Sequence, residues 1–420
     1  MADRLTPPMR YPRYGEESSD NHSSGKKREK SGNSREVFHK SKLSEFILLG
    51  GFDIPYFALV MLLLAIGLVM LLSASYPTAY FNGENSYSFF IKQAAFAVVG
   101  VVAMLVMSKI DYKIFKKYAN IIYFGAFGLL VIVLFYHTDM QAAGGDEFKR
   151  YIPIGPITFQ PSEVGKFALI AFLSAYFCRI GNKVHTFAYG IFIPLVFIGM
   201  YCGLVALENH VSGMILMFAL GAAIMFVGGT RSWIFWLGVI GVIAIVMVVF
   251  MFPDMLPEYV EKKLIAFTDK TYDPLGGRWQ INNSLYAIGS GGFFGVGLGN
   301  SKQKYMYVSE PQNDFIFSIV CEELGFIGAL VVLILFALLV LRGIQIAMKA
   351  RDKFGSYLVL GITAQIGIQT ALNILVITDS IPNTGISLPF FSYGGTALLM
   401  LLFEMGVVLS VSRKANQRKV

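Results

Sequence analysis

Ionisable side chains are rare inside the apolar stretches of this sequence, and those that occur there are the first candidates for chemistry. Charged groups are costly to place in a bilayer, so each is by default a functional candidate. A carboxylate at a partly desolvated membrane edge could act as a general base, and a lysine could stabilise an anionic leaving group. The candidates are Lys92, Glu163, Lys166, Asp314, Glu322, Glu323 and Glu404.

Two of these side chains are spaced to form an ion pair. Glu163 and Lys166 follow Pro161, a residue suited to the first turn of a helix, and they lie three residues apart. This spacing places both on one helix face within ion-pair reach. The pair could be a structural salt bridge that neutralises two charges in lipid, or it could contact a substrate directly, and the two roles are compatible.

A second group of acids begins at Asp314. At about 100° per residue, Ser318 falls about 40° and Glu322 about 80° from Asp314 around a helix that starts there. We therefore expect Glu322 to share a cavity with Asp314, and Glu323 to face another helix. The alternatives are that Asp314 is a first-turn acid favoured by the helix dipole, and that the two glutamates are buried packing polarity.

The elements that carry these residues are predicted to be membrane-spanning helices. The 420-residue chain is 55% hydrophobic and 15% charged, which excludes a water-soluble enzyme. Its apolar blocks are about twenty residues long, as a helix needs to cross a bilayer. The predicted fold class is an all-α integral membrane protein, a polytopic bundle of ten transmembrane helices. The predicted spans are 54–75, 87–108, 118–137, 162–179, 187–206, 211–228, 232–252, 314–341, 356–378 and 392–411.

The domain organisation follows from these spans. Residues 1–44 are polar and predict a disordered, basic cytoplasmic tail, and the first apolar block is then a retained span and not a cleaved signal peptide. Residues 45–413 form the transmembrane domain, and 414–420 form a second cytoplasmic tail. Residues 253–313 form a long extracellular loop between the seventh and eighth spans.

The distribution of Lys and Arg predicts the orientation. Basic residues concentrate in the connections around 109–117, 179–183 and 342–353 and in both tails, whereas 77–86 and 379–391 contain none. The basic side is predicted to be cytoplasmic, with both termini inside. Lys92, Glu163, Lys166, Asp314 and Glu322 then lie at the outer ends of their spans. The net charge of +8 is explained by this topology and does not indicate nucleic-acid binding.

Several motifs are excluded as sites by their context. The glycine-rich stretch 289–299 lacks a strand–helix unit and a Gly-Lys-Ser/Thr ending, so it does not predict nucleotide binding. Its glycines predict tight turns and close backbone approach, to a phosphate or to the bilayer surface. Ser301 and Lys304 match the Ser-x-x-Lys pattern of penicillin-binding enzymes, but the two companion motifs are missing. Cys178, Cys202 and Cys321 form neither a disulfide framework nor a metal cluster.

Two classes of protein fit these residues. One is an enzyme that acts on a lipid-linked substrate already activated, since the outside of a cell supplies no energy donor. The other is a transporter or flippase, which needs polar residues through the membrane centre. Only Glu323 and Glu404 lie deep in the spans, which gives little support to a continuous polar path.

The motifs together resemble those of a known family. They run in the order Phe159-Gln-Pro-Ser-Glu163-x-x-Lys166, Trp279-Gln-x-x-x-Ser-Leu-Tyr-Ala287, the glycine-rich stretch to Ser301, Glu310-Pro-Gln-x-Asp314-Phe-Ile-Phe-Ser318, Glu322-Glu-x-Gly325 and Pro382-x-Thr-Gly-Ile-x-Leu-Pro-Phe-x-Ser-Tyr-Gly-Gly395. Over residues 53–413 the chain resembles the shape, elongation, division and sporulation (SEDS) family of FtsW, RodA and SpoVE. The motif contexts resemble the FtsW and SpoVE branch more than RodA. Two departures are Asn313, where the family usually has Thr, and Leu207-Glu-Asn-His-Val-Ser-Gly213, which replaces Gln-Pro-Asp-Leu-Gly.

The resemblance implies a peptidoglycan glycosyltransferase that polymerises lipid II on the outer leaflet for division, cell shape or sporulation. Asp314 matches the family's catalytic aspartate, and Glu163 and Lys166 match paired charges beside its cavity. Lys92, Lys166, Arg278 or a divalent cation (Mg²⁺ or Mn²⁺) would stabilise the departing undecaprenyl pyrophosphate. The implied partners are a class B penicillin-binding protein and other division or elongation membrane proteins. The expected substrate-binding residues are Lys92, Glu163, Lys166, Arg278, Trp279, Gln280, Ser318 and Glu322.

Overall fold

The structure, a computed structural model, describes most of the chain after the N-terminal tail. The described residues are 51–83, 85–136, 140–141, 147–148, 150–155, 157–238, 240–241, 247, 265, 267–270 and 278–416. The predicted tail 1–44, most of the seventh predicted span and most of the long loop therefore lie outside the described residues.

The described part is built from helices and two short hairpins. Strand β1 (Met140–Gln141) pairs antiparallel with β2 (Glu147–Phe148), and β3 (Ile152–Ile154) pairs antiparallel with β4 (Ile157–Phe159). A 3-10 turn (Gly181–His185) and a π-helical turn (Ala188–Phe192) join the fourth and fifth helices. The helices are α1 (Ile54–Phe81), α2 (Ser88–Met107), α3 (Lys113–Phe135), α4 (Pro161–Ile180), α5 (Ile193–Leu207), α6 (Val211–Val227), α7 (Trp279–Gly291), α8 (Ile316–Met348), α9 (Lys353–Ile377) and α10 (Gly395–Asn416).

Eight helical segments of the described residues are long and apolar enough to cross a membrane, and α6 is an apolar helix of shorter length. They coincide with the first six and last three predicted spans, so the all-α polytopic membrane class is confirmed. The number of ten stays a prediction, because the seventh span lies mostly outside the described residues. Helix α7 was not predicted, since it lies within the segment read as an extracellular loop.

Local sequence explains where several helices begin. The Asp53 carboxylate accepts a hydrogen bond from the backbone N–H of Tyr56 at 3.0 Å, and Asp352 caps α9 through the N–H of Gly355 at 2.8 Å. Pro161 occupies the first turn of α4, as its sequence position predicted. Helix α8 begins at Ile316, so Asp314 lies in the turn before the helix. The angles predicted from Asp314 were therefore wrong.

The glycine-rich segment packs on a break in α8. Gly325 has a φ of 68° inside this helix, a conformation that glycine adopts without strain. The carbonyl of Glu322 accepts a hydrogen bond from the N–H of Val296 at 2.9 Å. A Cβ on Gly295 would lie only 2.2 Å from the carbonyl oxygen of Glu323. The predicted close backbone approach is made to α8.

The basic connections meet at one end of the bundle. Arg342, in the last two turns of α8, pairs with Asp53 before α1 at 2.8 Å. Lys414 near the end of α10 pairs with Asp111, which lies between α2 and α3. At the opposite end of the bundle, hydrogen bonds join the segment before α8, the end of α9 and the connection between α9 and α10, where several of the motif residues lie.

Candidate active site

Asp314 is half-buried where the turn before α8 meets the connection between α9 and α10, residues 378–394, called here the 378–394 loop. Its backbone carbonyl accepts a hydrogen bond from Nδ2 of Asn373 in α9 at 2.7 Å, and the same nitrogen donates to the carbonyl of Ile386 at 2.6 Å. A Cβ on Gly385 would lie 3.0 Å from Oδ2 of Asp314, and Gly385 has a φ of 68°. Glycine at this position therefore lets the loop pass close to the Asp314 carboxylate.

The residues before Asp314 are held by the same loop. The backbone carbonyl of Asn313 accepts a hydrogen bond from Oγ of Ser392 at 2.7 Å, and that of Gln312 accepts one from the N–H of Tyr393 at 2.8 Å. The Asn313 side chain, which departs from the family's usual Thr, donates to the Glu310 carboxylate at 2.7 Å. The segment that ends in Asp314 is thus fixed on both sides.

The predicted ion pair is present in α4. Lys166 Nζ lies 2.8 Å from Glu163 Oε2, with side-chain exposures of 5% and 13%. Lys166 Nζ also approaches Oε1 of Gln369 in α9 at 3.5 Å, and Gln369 Nε2 donates to the carbonyl of Ser387 at 2.9 Å. The pair is therefore connected to the same 378–394 loop that borders Asp314.

Tyr151 immediately precedes β3 and is near enough to Asp314 and Glu163 for both carboxylates to act on its phenol. Burial raises the pKa of its phenol to about 12, the cation of Arg150 opposes this rise, and the carboxylates of Asp314 and Glu163 add to it. The phenol stays protonated at neutral pH and can donate a hydrogen bond. Sequence reasoning missed Tyr151. The one feature of the sequence that could have indicated it is its position next to Arg150 in the connection before α4.

Glu322 and Glu323 anchor the glycine-rich segment. The Glu322 carboxylate accepts hydrogen bonds from Oγ of Ser301 and, at 2.9 Å, from the N–H of Lys302. The Glu323 carboxylate pairs with Nζ of Lys304 at 2.9 Å and accepts from Ser73 of α1 at 2.7 Å. Glu323 therefore faces another helix, as expected, whereas Glu322 is bound to the loop and not to a cavity shared with Asp314.

Three other predicted substrate ligands are bound to protein groups. Arg278 is 1% exposed, and its Nη2 lies 2.6 Å from Oδ2 of Asp379. Gln280 Nε2 donates to the carbonyl of Ser309 at 3.2 Å. Ser318 Oγ donates to the carbonyl of Phe315 at 2.7 Å.

The remaining two predicted substrate ligands, Trp279 and Lys92, differ in exposure. Trp279 is half-buried at the start of α7, and Lys92 is exposed on α2. The deep acid Glu404 accepts a hydrogen bond from Nε2 of Gln365 at 2.9 Å. None of these positions gives direct evidence on substrate binding, so that role stays a prediction for each of them.

The turn between α5 and α6, where the sequence departs from the family pattern, reaches the same end of the bundle. Glu208 is fully buried, and burial raises the pKa of its carboxyl from 4.5 to about 8, opposed by the nearby Arg150. Arg150 Nη2 donates to the carbonyl of Asn209 at 3.0 Å, and Ser212 Oγ lies 3.4 Å from the carbonyl oxygen of Gly385. The turn between α5 and α6 thus contacts both Arg150, just before the β3–β4 hairpin, and the 378–394 loop.

No cluster of three or more His, Cys, Asp or Glu side chains that could hold a metal ion occurs among the residues that the structure describes. The acids at this end instead lie beside lysine, arginine, amide and hydroxyl partners. The Asp314 carboxylate could accept a proton, the Tyr151 phenol could donate a hydrogen bond, and Lys166 of the ion pair with Glu163 could stabilise negative charge.

The fold and this site define a multi-pass membrane protein with a polar site at one end of its helix bundle. The family model described as cell cycle protein FtsW/RodA/SpoVE matches residues 54–417, so the chain belongs to that family. This confirms the family resemblance seen in the motifs.

Relatives and solved structures agree with this placement. The chain is 39% identical over 363 residues to stage V sporulation protein E of Bacillus subtilis (strain 168), covering 86% of this chain and 97% of that protein. It is 34% identical over 365 residues to the probable peptidoglycan glycosyltransferase FtsW of Geobacter sp. (strain M18), covering 87% and 97%.

Two solved structures share the fold at 22% identity. One is a chain from a study of how a peptidoglycan synthase complex coordinates polymerisation and crosslinking, with a TM-score of 0.70 and coverage of 87% of this chain and 99% of that one. The other is the rod shape determining protein RodA of Thermus thermophilus, with a TM-score of 0.63 and coverage of 86% and 97%.

Proposed function

We propose that this chain is a peptidoglycan glycosyltransferase that polymerises lipid II into glycan strands at the outer face of the cytoplasmic membrane. The observation that carries the proposal is the half-buried Asp314, held from α9 and from the 378–394 loop beside the Glu163–Lys166 pair. The activity agrees with the names of the FtsW relatives, which align over most of the chain.

Asp314 is the general base in this proposal. The sugar hydroxyl of the acceptor attacks the anomeric carbon of the donor, and its proton passes to the Asp314 carboxylate. The new glycosidic bond forms as the bond to the pyrophosphate oxygen breaks, and undecaprenyl pyrophosphate leaves with the bonding electrons. Direct displacement by one base inverts the α-linked donor to a β-linked product.

The neighbouring groups have supporting roles. The Lys166 ammonium stabilises charge on the departing pyrophosphate, because a cation in a water-poor site acts strongly on developing negative charge. Glu163 holds Lys166 in place at 2.8 Å. Tyr151, protonated at neutral pH, donates a hydrogen bond to a substrate oxygen near Asp314 and Glu163.

The proposed topology has both termini in the cytoplasm and the Asp314 end outside. It is supported by the ion pairs of Arg342 and Lys414, which lie at the opposite end of the bundle from Asp314. In a variant without native cysteines, Asn82→Cys should react with an impermeant maleimide on intact cells. Lys349→Cys should react only after permeabilisation, and the reverse pattern would refute the topology.

The proposed partner is a class B penicillin-binding protein, whose transpeptidase domain would crosslink the new glycan. Support comes from the fold shared with a chain studied in a peptidoglycan synthase complex. Co-purification of the two membrane proteins, and a rise in polymer yield when the partner is added, would test the assignment.

Asp314→Asn tests the proposed function directly. The amide keeps the shape of the side chain but cannot accept the proton, so glycan polymerisation from lipid II should be lost while partner binding is retained. Asp53→Asn is the matched control at the opposite end, since asparagine also caps a helix well. Polymer formation by Asp314→Asn at a near wild-type rate would refute the assignment. Lipid II flipping without any polymer from the wild type plus partner would favour a flippase.

A further inference from the structure

Helix α7 is docked tightly on the bundle although its sequence lies in a segment read as a loop. Ile281, Ser284 and Ala287 are buried on its inner face, and its main packing partner is α8. At its end, a Cβ on Gly291 would lie 2.0 Å from the backbone carbonyl oxygen of Cys321. This helix is therefore a fixed part of the structure around Asp314.

The first contact of α7 with the site is made by Arg278 at its N-terminus. The guanidinium pairs with Asp379 at 2.6 Å, and both side chains are at most 6% exposed. Asp379 has a φ of 54°, and its N–H donates to the carbonyl of Val376, so it turns the chain just after α9, near the start of the 378–394 loop. Arg278 thus fixes the point where this loop leaves α9.

The second contact is made by Gln280 and reaches both segments that flank the Asp314 carboxylate. Its Nε2 donates to the carbonyl of Ser309, on the segment that leads to Asp314, at 3.2 Å. Its Oε1 accepts from Nδ2 of Asn383 at 3.4 Å, and Oδ1 of Asn383 accepts from the N–H of Gly385 at 3.2 Å. Gly385 is the residue that borders Asp314, so one glutamine connects the two segments.

The third contact is made by Ser284, about one turn beyond Gln280 along α7. Its Oγ lies 3.1 Å from Oγ of Ser318 in α8 and 3.0 Å from the carbonyl oxygen of Ile377 in α9. All three atoms are buried. The helix is therefore attached to the start of α8, the end of α9 and the loop between α9 and α10.

We propose that α7 is a clamp that positions the 378–394 loop against Asp314, with Arg278 and Gln280 as positioning residues and not as ligands of the substrate. The proposal rests on the proposed function for its activity readout. Catalysis is sensitive to small displacements of the reacting groups, so loss of a positioning contact should reduce turnover more than substrate affinity. The competing role for Arg278 is direct binding of the departing pyrophosphate.

Gln280→Met tests the clamp because it keeps the side-chain length and removes both hydrogen bonds. We expect kcat for polymerisation to fall about tenfold to a hundredfold with little change in KM for lipid II. Amide hydrogen exchange in the 378–394 loop should accelerate, a readout that does not depend on activity. The matched control is Asn282→Leu on the same helix, half-buried, which should change neither measurement. Unchanged loop exchange in Gln280→Met, or a rise in KM alone, would overturn the clamp.

Arg278 and Asp379 are tested by a neutral replacement of the pair. Arg278→Gln and Asp379→Asn should each reduce kcat, because each leaves a buried charge alone. The double variant can restore a hydrogen bond between two neutral amides, so a positioning role predicts recovery of kcat well above both single variants. A pyrophosphate-binding role predicts that the double variant stays as slow as Arg278→Gln, and this result would overturn the inference.

The two proposals fail in different ways. If the wild type with its partner makes no polymer from lipid II, the proposed function fails, and hydrogen exchange of the 378–394 loop still decides whether α7 is a clamp. If the wild type polymerises and the variants neither slow turnover nor loosen the loop, the clamp fails and the proposed function stands.

Discussion

The ion pair between Glu163 and Lys166 allows a quantitative test of whether charge at the site serves folding, catalysis or both. The perturbation is a double-mutant cycle of Glu163→Gln, Lys166→Met and their combination. Either single change leaves one uncompensated charge in a site where the two side chains are only 13% and 5% exposed. The double change removes both charges and keeps similar side-chain volumes.

The magnitude follows from the geometry. At a separation of 2.8 Å, two unit charges attract by about 6 kcal/mol for an effective dielectric constant of about 20. The cost of taking both ions out of water offsets most of this attraction, so the intact pair adds little net stability. Removing one partner leaves that cost unopposed for the other, and we expect each single variant to lose about 3–5 kcal/mol of stability. The double variant should recover most of that loss.

The assay measures thermal unfolding in detergent and polymerisation of lipid II for all four proteins. If the pair is only structural, the double variant regains both stability and activity. If Lys166 also meets the pyrophosphate, stability returns but turnover does not, and we expect this second result. Arg342→Met is the control, since the Arg342 side chain is 30% exposed in its pair with Asp53 at the other end, and breaking this pair should cost at most about 1 kcal/mol. Single variants indistinguishable from wild type in both assays would refute the reasoning.

Two further predictions concern stability. Burial raises the pKa of Glu208 from 4.5 to about 8 in the folded state. Its contribution to stability is therefore fully present below pH 4.5 and is lost as pH rises through 8. The free energy of unfolding falls by at most about 1.4 kcal/mol per pH unit in this range. Glu208→Gln, which mimics the protonated acid beside Arg150, should therefore melt higher than wild type at pH 8.5 and nearly equal to it at pH 5. An equal difference at both pH values would contradict the burial argument. Gly325→Ala should unfold the chain or lower its melting temperature strongly, because φ is 68° and the new Cβ would lie 2.2 Å from the backbone nitrogen of Gly295. Gly367→Ala, whose Cβ would meet only Val340 at 3.5 Å, should be tolerated in the same melting assay.

The features that the sequence could predict are those set by residues close together in the chain. Apolar blocks of about twenty residues define spans whatever they pack against. The first turn of α4 follows from Pro161, and the Glu163–Lys166 pair follows from helix periodicity alone. The basic connections also lie at one end of the bundle, as the count of Lys and Arg suggested.

The features that it could not predict depend on contacts between distant segments. Nothing in the local sequence indicates that Arg278 pairs with Asp379, which is 101 residues away and in another connection. Helix α7 has only a short apolar face, and its position depends on hydrogen bonds to Ser309, Ile377 and Asn383 that no local pattern reveals. The prediction for Glu322 failed because it assumed that α8 begins at Asp314, two residues too early.

The charged residues predicted in the spans need not share one role, because the acids among them have different partners. Glu323 is paired with Lys304 and Glu163 with Lys166, and Glu322 is bound by a hydroxyl and backbone N–H groups. Such contacts hold the side chain in one position, which suits anchoring. Asp314 is half-buried, as is Glu163, but the loop beside its carboxylate carries a glycine in place of a side chain. A glycine at this point keeps a side chain off an acid that still reaches the surface, and this accessibility is the physical support for the proposal that Asp314 accepts the proton of the substrate hydroxyl.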